Sequence, residues 1–392
     1  MRSLSDYGLV KPSFQLDPEL DCKIFVGRPD VKERLESRLS RAIVTETSMH
    51  TMIYGEYGSG KTHTLNYVRK FLDEKKLPVI SVYVRSPNVE QRSKPSDLFG
   101  SIIASISPLQ IFSLFTKIYD SVQMELQKTQ DVYQRIAIIE RVTGNRDLAN
   151  VIHKYVTTRP SGDYLIIKWL SGEKISAKEK TELSVVQDNS DQYAAVQTLL
   201  SLLRMFNEFE RKYVLLLLDE MEGLSILSSR SLEEFGNFLR PLVELRSGIA
   251  VLLAFTSHAG LDDALPIFSS GSAVGSRVGY PQNYIFLKPF DDPDSMKQFV
   301  RELLRAVRDP KADIKSLVKT HGKGLAEKPS DSFYPFTEEA VGLIFQQYSQ
   351  TSQAKPILPR DILKIMTDCL GDAISEDKVV ITTDLVQRIM KE

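Results

Sequence analysis

The sequence predicts an α/β protein: a doubly wound parallel sheet with a helical insertion and an all-helical C-terminal region. Three observations carry this. Short, mainly apolar runs recur at Thr51-Met52-Ile53-Tyr54, Val79-Ile80-Ser81-Val82-Tyr83-Val84, Val214 to Leu218 and Ile249 to Phe255, as buried strands require. Segments of helical period separate these runs, the alternation expected of βαβ units. After Asp292 the strand-like runs stop and only helical periodicity continues.

In chain order, residues 1–23 read as an irregular N-terminal arm. Val31, Leu35, Leu39 and Ile43 recur every fourth residue and predict an amphipathic helix. The strand at 51–54 runs straight into a glycine-rich loop, beyond which Leu65, Val68, Phe71 and Leu72 form one apolar helix face. The second strand ends at the turn-prone Ser86-Pro87-Asn88. Residues 96–210 are mostly helical in pattern, with a polar stretch from Thr157 to Asp191 broken by Pro160, Gly162 and Gly172. That span is too long for a crossover between neighbouring strands, so residues 108–190 are expected to form an insertion. Tyr284-Ile285-Phe286-Leu287 supplies a last short strand. The expected organisation is an arm at 1–23, an α/β core at 24–290 carrying the insertion, and a helical domain at 291–392.

A chain of 392 residues suits more than one domain. At 42% hydrophobic and 26% charged residues it has the composition of a globular protein with real cores. The formal net charge of −1 excludes a global basic field for nucleic acid but leaves room for a local one. Cys22 and Cys369 are the only cysteines, which argues against a disulfide framework or a zinc site. The longest apolar runs reach about eight residues, short of the roughly 20 a membrane span needs. Residues 1–23 carry Asp6, Asp17, Glu19 and Asp21 and have no apolar signal-peptide core, so a cytoplasmic location away from membranes is expected.

Gly55-Glu56-Tyr57-Gly58-Ser59-Gly60-Lys61-Thr62 fits the spacing G-x-x-x-x-G-K-[ST]. Glycines let such a loop wrap closely, with backbone N–H groups turned toward phosphates. The helix starting near Lys61 adds its positive dipole end at the same place. Lys61 reaches the β- and γ-phosphates of ATP, and the Thr62 hydroxyl ligates Mg²⁺. A strand before and a helix after the motif separate it from a chance glycine-rich turn.

A phosphate loop needs a carboxylate at the tip of another strand to hold Mg²⁺. Asp219, following four leucines, fits that role, and Glu220 has the place of a general base that orients the attacking water. The plainer reading is that Glu220 or Glu222 is a solvated loop residue.

These motifs resemble the AAA+ superfamily of P-loop NTPases, with the closest flavour in the origin-recognition/initiator (Orc/Cdc) clade. Phe25-Val26-Gly27-Arg28, followed by an amphipathic helix, is similar to the segment that lies against adenine in that family. Residues 55–62 match its Walker A motif and 214–220 its Walker B motif. The resemblance makes Thr256 the sensor-1 residue bonding the γ-phosphate or the lytic water. Ser257 competes for that role, and bonding of Thr256 to local backbone is the alternative. Arg277, in Ser276-Arg277-Val278, stands where the family projects an arginine finger into a neighbouring subunit; pairing with a local carboxylate is its alternative. Arg360, in Pro359-Arg360-Asp361, is similar to sensor 2 of the helical lid and sits at a helix start, against the dipole unless a phosphate is near. His63, directly after Thr62, is grouped with the loop, although a helical His more simply packs or faces solvent. His258 beside the strand tip reads as a loop residue by default.

The resemblance implies an ATP hydrolase working as a homo-oligomer or AAA+ hetero-assembly, with closure on Mg-ATP through Arg360 and Thr256. DNA or a DNA-bound protein complex is the partner it favours. Arg301, Arg305, Arg308 and Lys311 form a basic stretch that is either a solvated face or a phosphate contact. The insertion departs from the minimal family core. Its Trp169-Leu170-Ser171-Gly172-Glu173, with the Leu-rich helix before Walker B, resembles ATPases found beside BREX-type phage-defence systems; Trp169 reads as a hydrophobic anchor. Residues 372–392 are too few for the winged-helix domain that initiators carry, so a defence or DNA-transaction ATPase is expected. A nucleotide-dependent signalling or assembly switch with little hydrolysis is the alternative.

Overall fold

The apolar runs become the strands β1 (Met49–Gly55), β2 (Val79–Arg85), β3 (Tyr213–Asp219), β4 (Ile249–Thr256) and β5 (Tyr284–Phe286) of one sheet, ordered β2-β3-β4-β1-β5. This is a computed structural model describing residues 3–86, 93–158, 163–257, 264–351 and 356–391. Pro87, Asn88, Pro160, Gly162 and His258 lie outside the described residues. The pairs β2–β3 and β3–β4 are parallel, with Val79 opposite Tyr213 and Val214 opposite Ile249.

Every residue of β1 and β3 is buried; β3 reads as an unbroken apolar run from Val214 to Leu218, whereas β1 buries the polar His50 and Thr51 ahead of Met52-Ile53-Tyr54. Strand β2 differs. It stands at a sheet edge, and only Ile80, Val82 and Val84 are buried while alternate residues are partly open. The chain leaving β1 travels past β4 and β3 to reach β2, whereas the chain leaving β4 passes β1 to reach β5. Outgoing connections of β1 and β4 thus run to opposite sides. In open α/β sheets, ligands bind where strand order reverses in this way.

The chain divides into two compact units. One comprises Ser37–Tyr54 and Leu72–Ile285 and contains the body of the sheet and the insertion. The insertion is helical, over Pro108–Ser121, Gln123–Leu126, Val132–Thr143, Arg146–Thr158, Asp163–Leu170 and Ala177–Leu183. Trp169 is 1% exposed and donates from Nε1 to the Gln187 carbonyl at 3.0 Å, the buried anchor its sequence context suggests. The helix Gln192–Glu210 then buries Leu199, Leu202, Leu203 and Phe206 ahead of β3.

The other unit comprises Met1–Glu36, Gly55–Phe71 and Phe286–Glu392. Its core gathers Met296, Val300, Leu303, Val341, Ile344, Ile362, Met366 and Leu370 from the C-terminal helices. The arm contributes too. Tyr7, Leu9 and Phe14 are buried in the same core, and the Tyr7 hydroxyl donates to the Lys378 carbonyl at 2.6 Å. No single helix among the described residues is long and apolar enough to cross a membrane.

Candidate functional site

The phosphate loop is built within the second unit. Strand β1 ends at Gly55, and helix α1 (Pro29–Val44) precedes it in the chain while helix α2 (Lys61–Lys75) follows. Gly55, Gly58 and Gly60 hold φ angles of +155°, +94° and +98°, a backbone path that side-chain-bearing residues rarely follow. Gly58 matters most. A Cβ there would lie 3.0 Å from Cβ of Arg360, and the guanidinium of Arg360 sits 4.6 Å above the Tyr57 ring. This cation–π contact is worth about 0.5–1 kcal/mol at an exposed site. Arg360, far away in sequence, is therefore seated on the loop itself. Gly58→Ala should destabilise the protein by about 1–3 kcal/mol through backbone strain and displacement of Arg360. Denaturant unfolding of the variant checks this.

Lys61 is buried and donates from Nζ to the carbonyls of Gly55 and Glu56, both at 3.0 Å. The amine is thus held inside the curve of the loop. Ser59 is 0% exposed, and its hydroxyl has no hydrogen-bond partner among the described residues. An orphaned buried hydroxyl, a buried ammonium and three positive-φ glycines fit a bound phosphate group. Thr62 follows Lys61 in the first turn of α2.

The loop has a support that the sequence motif does not reveal. Arg28 donates from one terminal nitrogen to the Ser59 carbonyl at 2.5 Å and from the other to the Lys288 carbonyl at 2.7 Å. Burial pushes its pKa down to about 10, so it remains charged at neutral pH. Phe25 packs on Tyr67 with ring centroids 4.6 Å apart and stacks near His63 at 6.5 Å. Val26 packs against the helical core. The His63 Nε2 donates to the Ile24 carbonyl at 2.8 Å, since a carbonyl oxygen only accepts, and burial lowers the pKa of the ring. His63 therefore braces the 24–26 segment that precedes α1.

The acidic group belongs to the unit that contains the sheet body. Asp219 is 0% exposed; its Oδ2 accepts from the Tyr83 hydroxyl at 2.7 Å and its Oδ1 from the Glu220 backbone N–H at 2.9 Å. Burial, and then the charge of Asp219, push the Tyr83 phenol pKa up, so Tyr83 stays a proton donor. Arg85, opposite Asp219 in the β2–β3 register, bonds Tyr83 in turn. Glu220 is exposed and adopts φ 55°, ψ 35°. This left-handed conformation, which non-glycine residues adopt infrequently, turns the chain sharply at the end of β3.

Glu220 opens a 3₁₀ turn, Met221–Ile226, that carries Glu222 to the tip of β4. There Glu222 accepts two hydrogen bonds from Thr256: from the backbone N–H at 3.0 Å and from the hydroxyl at 2.5 Å. Arg277, on the helix Ala273–Val278, donates from Nε to Glu244 at 2.6 Å, and Arg240 shares the same carboxylate oxygen at 2.9 Å. Bonds from Arg240 and then Arg277 hold Glu244 below the usual carboxylate range. The pairing with a local carboxylate is thus present, but an exposed pair of this kind contributes about 0–1 kcal/mol and yields readily to a competitor.

Sequence reading missed Tyr83 and the structural use of Arg28 and Glu222. In the sequence Arg28 shows only as part of Phe25-Val26-Gly27-Arg28, and Glu222 only as a solvated loop residue. Nothing in the spacing distinguishes Tyr83 from other strand tyrosines.

The sheet order and the phosphate loop define a P-loop nucleotide-binding protein. The family described as AAA domain matches residues 44–265, more than half the chain, and the protein belongs to that family of AAA+ ATPases. No curated protein matches the sequence. Among solved structures the chain is similar to the Aeropyrum pernix ORC1 protein in complex with DNA, at 12% identity and a TM-score of 0.47, over 94% of this chain and 66% of that one. It is similar to Drosophila ORC bound to DNA at 13% identity and a TM-score of 0.47, over 99% of this chain and 64% of that one. The Thermotoga maritima RuvB Holliday junction branch migration motor matches at 13% identity and a TM-score of 0.41, over 96% of this chain and 72% of that one. The chain therefore spans just under two thirds of the length of the first two.

Proposed function

We propose that the protein binds Mg-ATP on the 55–62 loop and hydrolyses it to drive assembly, loading or remodelling of a partner in a DNA transaction or phage-defence system. The observation that carries this reading is the loop itself, with its buried Lys61 and unpartnered Ser59 hydroxyl. Lys61 and the loop backbone bind the phosphates, Phe25 and Val26 border the base, and Arg360 on Gly58 reads the bound nucleotide. Thr62 and Asp219 would hold Mg²⁺, which when bound neutralises charge on the β- and γ-phosphates. Glu220 takes a proton from the attacking water. Arg277, half-exposed and weakly held, suits a finger offered to a neighbouring copy or a related subunit.

Support for a DNA partner comes from the basic stretch. Arg301 and Arg305 are exposed on the helix Pro293–Val307. Lys311, Lys315, Lys319 and Lys323 continue the charge at intervals of four, all exposed and without an ion pair among the described residues. The helix Ile314–His321, which bears Lys315 and Lys319, packs its Ile314 and Leu317 against Gly8 and leaves the lysines outward.

Phosphate release measured with and without duplex and single-stranded DNA tests the proposal. DNA is expected to raise turnover in a salt-sensitive manner, because lysine–phosphate contacts release counterions. Charge reversal by Lys315→Glu with Lys319→Glu should remove the stimulation and keep basal turnover. Tight ADP retention without DNA-stimulated turnover would instead indicate a nucleotide switch.

A further inference from the structure

Both carboxylate oxygens of Glu222 are engaged by the same residue. Oε2 takes the Thr256 backbone N–H at 3.0 Å and Oε1 takes its hydroxyl at 2.5 Å. A threonine hydroxyl has one proton to give and two lone pairs to accept with. A carboxylate oxygen facing it accepts, so the single Thr256 proton is committed to Glu222. What remains on Oγ1 is acceptor capacity. A γ-phosphate oxygen is itself an acceptor and finds no donor there, whereas a water molecule does find an acceptor.

From this geometry we infer that Glu222 is a positioning residue that sets Thr256 as a hydrogen-bond acceptor for the lytic water. The inference rests on the proposed hydrolysis and on Thr256 acting at the β4 tip. In the step it serves, the water oxygen forms a bond to the γ-phosphorus while the bond from that phosphorus to the ADP oxygen breaks. One water proton passes to Glu220. The other, the one Thr256 accepts in a hydrogen bond, stays on the new phosphate. Two acceptors, Glu220 and Thr256, thereby leave a water lone pair for phosphorus. The local backbone serves the same end: the left-handed turn at Glu220 begins the 3₁₀ turn that delivers Glu222 two residues later.

Five variants assayed for kcat, for affinity of a fluorescent ATP analogue and for melting temperature test this role. Glu222→Ala is expected to lower kcat by about 10- to 100-fold, the scale of a hydrogen bond to a charged group. Analogue affinity should stay near that of the parent protein. Glu222→Gln retains a carbonyl oxygen for the hydroxyl and should recover much of the loss. Thr256→Val should match Glu222→Ala, and the double variant should lose little more than either alone, as coupled residues do. Thr256→Ser keeps the hydroxyl and should stay active.

Additive losses in the double variant would overturn the inference. So would full activity of Glu222→Ala, or a fall confined to melting temperature that Glu222→Gln does not relieve. If Glu222→Ala fails to fold, the Glu222→Gln and Thr256→Ser pair decides: inactive but folded proteins contradict it. Failure of the underlying reading looks different. In that event the parent protein releases no phosphate, or Glu220→Gln leaves turnover unchanged.

Discussion

Lys61→Ala should weaken ATP binding by about 3 kcal/mol, roughly a hundredfold, through loss of charge-assisted bonds to phosphate. The ammonium now lies on the Gly55 and Glu56 carbonyls, each at 3.0 Å, and those bonds hold the curve of the loop. An incoming phosphate offers the same amine a full negative charge, so the buried cation gains on exchanging carbonyls for nucleotide. Alanine removes the charge and also leaves two carbonyls without their donor. Isothermal titration with ATP and Mg²⁺ measures the loss directly, and a far-UV spectrum identical to that of the parent protein shows that the fold survives. Unchanged affinity would mean that ATP binds elsewhere.

The second large effect separates binding from chemistry. Glu220→Gln should keep nucleotide affinity and reduce kcat by about 10²–10⁴-fold, because an amide cannot take up the water proton. The carboxylate is exposed beyond the buried end of β3, on a residue held at φ 55°. The neighbouring Asp219 cannot replace it. That carboxylate is buried and already bonded by the Tyr83 hydroxyl and the Glu220 N–H. With enzyme in excess over ATP, the parent protein should convert the bound ATP to phosphate in a single phase, and the variant should reach the same amplitude about 10²–10⁴-fold more slowly. Equal rates in both would remove Glu220 from the mechanism.

Much of the fold was legible because it rests on local pattern. Strands buried on both faces leave apolar runs, unbroken at Val214–Leu218 in β3 and Ile249–Phe255 in β4 and shorter at Met52–Tyr54 in β1, and the three are visible for that reason. The loop was visible because phosphate binding demands glycines and a lysine at a set spacing. What stayed hidden depends on distant contacts. Tyr7 and Phe14 sit in a polar arm with too few apolar neighbours to show periodicity, yet both are buried in the C-terminal helical core. The role of Glu222 appears only once the tip of β4 is brought to it, and that of Arg28 only once Ser59 is. For Arg360 the helix-start position was a hint, and Gly58 supplied the surface. For Arg277 a local carboxylate partner is legible as an alternative, but not which acid, since Glu244 lies 33 residues away and any acid or solvent satisfies an exposed arginine.

Steady-state phosphate release from Mg-ATP, measured for the parent protein and for Lys61→Ala, tests hydrolysis at the 55–62 loop. Mg²⁺-dependent release by the parent protein, falling to background in the variant, is expected. Release that is absent from the parent protein, or equal in the two, would contradict it.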